Sequence, residues 1–120
     1  MVVDDEPDTV LTLLEILRSA RYEAEGFGSG AAALDRLTAF DPDVVISDIA
    51  MPYITGWDVA KKVREMMGHR RPILIAISGQ YRTGADKVLA QIKGFNYYLV
   101  KPCDPDTLLS LLRPLAANLG

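Results

Sequence analysis

Four short apolar runs in this chain lead into residues that can do ionic chemistry. Asp4 and Asp5 follow Met1-Val2-Val3, Asp48 follows Val44-Val45-Ile46-Ser47, Ser78 follows Ile73-Leu74-Ile75-Ala76-Ile77, and Lys101 follows Tyr97-Tyr98-Leu99-Val100. If these ends converge, three carboxylates crowd together, and like charges at close range destabilise one another. A hard divalent cation is the natural compensation. Magnesium takes oxygen ligands in octahedral geometry, keeps several waters, and binds through one or two carboxylates plus phosphate oxygens. A lysine and a hydroxyl on the opposite rim then suit a phosphoryl group: Lys101 neutralises one oxygen and Ser78 donates a hydrogen bond to another. The chemistry implied is attack by a carboxylate oxygen on phosphorus, giving an acyl phosphate. Any one of these residues taken alone is more often a helix cap or a loop charge. Their joint placement is what points to a site.

The elements that must position them alternate five times between apolar runs and helix-period segments. After Met1-Val2-Val3, Val10, Leu13, Leu14 and Leu17 keep the 3, 4 spacing of a buried helix stripe. A weak, polar strand is expected around Glu23 to Phe27, and Gly28-Ser29-Gly30 opens an alanine-rich helix with Leu34 and Leu37. Asp43 to Ser47 reads as a third strand. The segment from Trp57 to Met67 reads as a helix turned inward at Val59, Val63 and Met66. Pro72 to Ile77 lacks alternation, as a strand covered on both faces does. A helix from about Thr83 to Ile92, a strand over Tyr97 to Val100 and a last helix opened by Asp104-Pro105-Asp106 complete the series. Such alternation implies a parallel sheet with right-handed crossovers and helices on both faces. Ligands in open sheets of this kind bind beyond the carboxyl ends of the strands, where the ionic residues stand.

Composition narrows the class. The chain has 120 residues, the size of one domain, and 49% of them are hydrophobic against 24% charged, enough to build a core. Its net charge of -3 argues against direct nucleic-acid binding, and no run approaches the ~20 apolar residues of a membrane span. The single cysteine, Cys103, allows no internal disulfide and suits a cytoplasmic location. The charge is uneven: residues 1–60 carry 3 basic and 12 acidic residues, residues 61–120 carry 10 and 4.

Several stretches, in order, carry a family likeness. They are Asp4-Asp5-Glu6-Pro7, the run from Pro42 to Pro52 around Asp48, Gly56, Ser78-Gly79, and Tyr98-Leu99-Val100-Lys101-Pro102. With them the chain resembles a receiver domain of two-component response regulators, the CheY-like superfamily, from Val2 to about Ala116. The resemblance implies an α/β, flavodoxin-like (βα)5 three-layer sandwich with a five-stranded parallel sheet in the order 2-1-3-4-5. It implies that Asp48 is the phosphoacceptor, that Asp5 ligates Mg directly and Asp4 mainly through water, and that the backbone carbonyl of Ala50 completes the protein ligands. Ser78 and Tyr98 match the family's switch pair, and Lys101 its phosphoryl-binding lysine. The implied donor is a histidine kinase or a histidine phosphotransfer domain. The surface formed by the fourth helix, fifth strand and fifth helix is the expected output face and homodimer contact. The expectation is one receiver domain over residues 1–120, trimmed from a longer protein because the first strand begins almost at residue 1.

Other features read more plainly. Gly26 to Gly30 lacks the spacing of a nucleotide-binding loop and is expected to be a turn and helix cap. His69 and Cys103 are read as a solvent-facing loop residue and an incidental thiol. Lys61, Lys62, Arg64, Arg70 and Arg71 are read as a solvated basic face. Ala50 and Gln80 lie two places beyond Asp48 and Ser78, where family members tune the phosphoryl lifetime. A Mg-dependent aspartyl phosphohydrolase is the first alternative, but such enzymes need a second acid where this chain has Ala50. A protein-interaction module without phosphorylation is the second, and the complete acidic set argues against it.

Overall fold

The computed structural model describes residues 1–69, 71–79 and 84–119. The chain runs β1 (Val2–Val3), α1 (Pro7–Ser19), β2 (Gly26–Phe27), α2 (Gly30–Phe40), β3 (Val44–Asp48), α3 (Gly56–Met67), β4 (Ile73–Ser78), α4 (Gly84–Ile92), β5 (Tyr97–Val100) and α5 (Pro105–Leu119). The sheet is parallel throughout, in the order β2-β1-β3-β4-β5. This is the flavodoxin-like sandwich the sequence led us to expect.

Strand pleat divides the core. Val2, Ile46, Ile75 and Ile77 point to one face, where they meet Leu13, Leu14 and Leu17 of α1 and Leu108 and Leu112 of α5. Val3, Val45, Leu74 and Ala76 point to the other, against Ala33 and Leu37 of α2, Val59, Ala60 and Val63 of α3, and Ala90 of α4. The central strands are covered on both sides, which is why their sequences run apolar without alternation.

Helix starts follow local chemistry. Ser29 caps α2 by accepting the Ala32 N–H, and Thr55 and Asp58 form a reciprocal capping box at α3. Pro7 fills the first turn of α1, where a missing N–H costs nothing.

The structure departs from the sequence reading in four places. β2 is only two residues long. Asp48 and Ser78 are the last residues of their strands rather than the first beyond them. Met66 is 51% exposed, not inward, because the buried stripe of α3 advances from Val63 by four residues to the half-buried Met67. Arg64 does not belong to a solvated face. Its half-buried guanidinium donates to the carbonyls of Gly94 and Pro72 and to Asn96 Oδ1, joining α3 to the α4–β5 connection and to the start of β4. Arg70, Gln80 and Thr83 lie outside the described residues.

Candidate functional site

The cleft forms where β1 and β3 lie side by side. Val3 is in register with Ser47, so the next residues, Asp4 and Asp48, leave neighbouring strands at the same level. Lys101 reaches them from the far side of the sheet, its backbone N–H donating to the Ser78 carbonyl at 3.0 Å. Asp4 and Asp48 are buried, and the Lys101 side chain is only 15% exposed.

Three carboxylates surround one ammonium. Lys101 Nζ lies 2.7 Å from Asp4 Oδ2, 3.2 Å from Asp48 Oδ2 and 3.2 Å from Glu6 Oε1. The second oxygens of the two buried aspartates are also engaged: Asp4 Oδ1 accepts the Glu6 backbone N–H and Asp48 Oδ1 the Ile49 N–H. Burial, and then the neighbouring Asp4 carboxylate, push the Asp48 pKa up to about 6 despite the attraction of Lys101. Burial opposes the charge on Lys101, but its hydrogen bond to Asp4 and the charges of Asp48 and Asp4 outweigh it and raise its pKa above that of an ordinary lysine.

One ammonium does not balance three carboxylates, and this surplus of hard oxygen donors fits a magnesium-sized cation. The oxygens of Asp4, Glu6 and Asp48 lie within 4.8 Å of one another. Asp5, expected to be the direct ligand, is exposed and stands outside this group. Glu6, to which the sequence reading gave no role, stands within it. The structure marks it out: Glu6 is the N-cap of α1, where Ser, Thr, Asp or Asn is usual, and it makes no side-chain cap.

Gly56 is the second residue the sequence reading quoted without a role. Its N–H donates to Ile49 O, and a Cβ there would sit 2.2 Å from the Asp48 carbonyl oxygen and 2.7 Å from Ile49 Cα. Only a glycine lets α3 start against the backbone that carries Asp48. Tyr53, at φ 64° on the intervening loop, is fully exposed.

Ser78 is buried at the end of β4, and β5 pairs beside it with Ala76 opposite Tyr98. Tyr98 packs on the core side shared with α3 and α4, whereas Tyr97 is 39% exposed. The pleat thus turns inward the tyrosine expected there. Ala50, half-buried, follows Ile49.

The family sequence model described as the response regulator receiver domain matches residues 1–113. The chain belongs to the response regulator receiver domain family. It is 30% identical over 119 residues to the transcriptional regulatory protein PcoR of Escherichia coli, covering 96% of this chain and 50% of that protein. It thus spans about half the length of that relative. Against the chemotaxis protein CheY of Thermotoga maritima identity is 27% over 117 residues, 97% of this chain and 95% of that one. The solved structure of the Vibrio cholerae chemotaxis protein CheY4 superposes with a TM-score of 0.87 at 30% identity, covering 95% and 94% of the two chains. Membership of this family places the receiver domain in two-component signalling. Among the described residues no helix is long and apolar enough to cross a membrane.

Proposed function

We propose that this receiver domain accepts a phosphoryl group on Asp48 from a phosphohistidine donor. The observation that carries the reading is the cleft itself: Asp48 Oδ2 sits 3.2 Å from Lys101 Nζ beside the buried Asp4. A carboxylate oxygen of Asp48 attacks phosphorus, and the P–N bond to the donor imidazole breaks with its electron pair left on nitrogen. The product is an acyl phosphate on Asp48 and a neutral donor histidine, because the other ring nitrogen of the phosphohistidine carries a proton as the P–N bond breaks and keeps it. Lys101 meets the negative charge spread over the phosphoryl oxygens. The Ile49 N–H holds one Asp48 oxygen and so fixes the plane of the carboxylate. Ser78 then turns its hydroxyl to the phosphoryl group, and Tyr98 fills the space left behind.

Asp4, Asp48 and the Ala50 carbonyl, with Asp5 after a side-chain rotation, would hold a magnesium ion, which supplies positive charge against the carboxylates and the incoming phosphoryl oxygens. A histidine kinase or a histidine phosphotransfer domain is the donor. Exposed Val88, Leu89 and Ile92 of α4 and Tyr97 and Val100 of β5 support an output face on α4, β5 and α5, which also suits a homodimer. We read residues 1–120 as one receiver domain working in the cytoplasm, without binding nucleic acid itself, as a phosphoacceptor rather than a turnover enzyme. Labelling by acetyl phosphate with Mg present tests the reading: Asp48→Ala should abolish the label, and persistent label at the wild-type level would sink it.

A further inference from the structure

Of the three acids around Lys101, Glu6 is the one that can leave. Asp4 and Asp48 are buried and fixed by backbone donors, whereas the Glu6 side chain is 66% exposed. Its backbone is nevertheless pinned, because its N–H donates to Asp4 Oδ1 at 2.9 Å. As the N-cap residue of α1 it forgoes a side-chain cap, and its carboxylate instead crosses the mouth of the cleft to Lys101 Nζ at 3.2 Å. An ammonium has three N–H donors, and three carboxylates stand around this one. Nζ donates to Glu6 Oε1 and Asp48 Oδ2 and meets Asp4 Oδ2 as an ion pair, so Glu6 takes one of the two hydrogen bonds that an arriving phosphoryl oxygen would compete for.

We propose that Glu6 is a displaceable latch on Lys101, a positioning residue that holds the ammonium in the resting cleft and yields it to the phosphoryl group on Asp48. The proposal rests on the phosphoacceptor reading above. A phosphoryl oxygen on Asp48 competes with Glu6 for the Lys101 ammonium. Rotation of the exposed Glu6 side chain opens the latch without moving the sheet. While closed, its carboxylate also repels small anionic phosphodonors at the cleft mouth.

The test compares the wild-type chain with Glu6→Gln, a substitution at an exposed position that leaves the core untouched. With acetyl phosphate and Mg, the initial rate of Asp48 labelling in the variant should rise roughly three- to tenfold, the effect of removing one charge at this range in a partly solvated cleft. Without a donor, the side-chain ammonium signal of Lys101 in nitrogen-15 NMR spectra should exchange faster with water in the variant. Mg affinity, read by calorimetry in the absence of any donor, should weaken by less than about tenfold, as loss of one nearby charge without loss of a ligand does. An unchanged labelling rate overturns the latch whatever the NMR signal does. A slower rate together with Mg affinity weakened by roughly tenfold or more also overturns it, and makes Glu6 a cation ligand. A wild-type chain that takes no label at all defeats the underlying phosphoacceptor reading instead, and the latch falls with it.

Discussion

Asp4 Oδ2 and Lys101 Nζ, 2.7 Å apart, join the end of β1 to the end of β5 across the two strands that lie between them. The pair is buried on the Asp4 side, so neither charge can be removed without consequence for the other. A buried pair is not itself strong evidence of stability, but breaking one by deleting a partner leaves an uncompensated charge behind.

Lys101→Ala should therefore destabilise the metal-free protein at neutral pH, by about 2–4 kcal/mol. Saturating Mg should recover much of that loss, since the cation replaces the missing charge. Urea unfolding with EDTA and with Mg reads both. Equal stability of variant and wild type in EDTA would contradict it.

Asp48 gives a pH dependence of defined sign. Its pKa is raised in the folded state to about 6, so the ionised carboxylate opposes folding above that value. The penalty is full above pH 6, shrinks as pH falls through 6, and is gone below the unfolded value near 3.8. Asp48→Asn should be more stable than wild type by about 1–3 kcal/mol at pH 7.5 in EDTA, with the advantage vanishing by about pH 4. Denaturant titrations across that window measure it, and a constant difference would refute the assignment.

Gly56→Ala places a methyl group against the Asp48 carbonyl and Ile49 Cα. Both neighbours are backbone and cannot rotate away. The substitution should cost about 1–3 kcal/mol and slow labelling together, because relief requires shifting the strand end that bears Asp48. Wild-type labelling in a destabilised variant would separate the two effects and count against this placement.

Arg64→Ala offers the opposite pattern. Its guanidinium ties Gly94, Pro72 and Asn96 together at the far end of the sheet, away from the cleft. Loss of these hydrogen bonds should lower stability by about 1–3 kcal/mol while the labelling rate stays within a factor of about two. Thermal unfolding alongside acetyl phosphate labelling gives the comparison.

Most of the architecture was legible because the pleat and the helix stripe leave period-specific marks. Val10, Leu13, Leu14 and Leu17 identified α1, and the unbroken run in β4 identified a strand with cover on both faces. Asp4, Asp48 and Lys101 were legible as a site because each ends such a run. Glu6 and Asp5 were not separable in this way. Adjacent residues at a strand-to-helix turn point in directions set by local backbone geometry, and period alone does not choose between them. Arg64 was misread for a related reason. A cation is assigned to solvent by charge, whereas the carbonyls of Gly94 and Pro72 that receive it come from segments about 30 and 8 residues away.

Helix α4 has nine residues and only one of them, Ala90, is fully buried. A phosphoryl group can redirect a protein only by as much free energy as it contributes differently to two arrangements. An element with one small buried residue is easier to displace within that limit than the fully buried strands around Ile75 and Leu74. Under the proposed phosphoacceptor reading, the thin seating of α4 sets a threshold: how small an input at Asp48 is still large enough to be noticed.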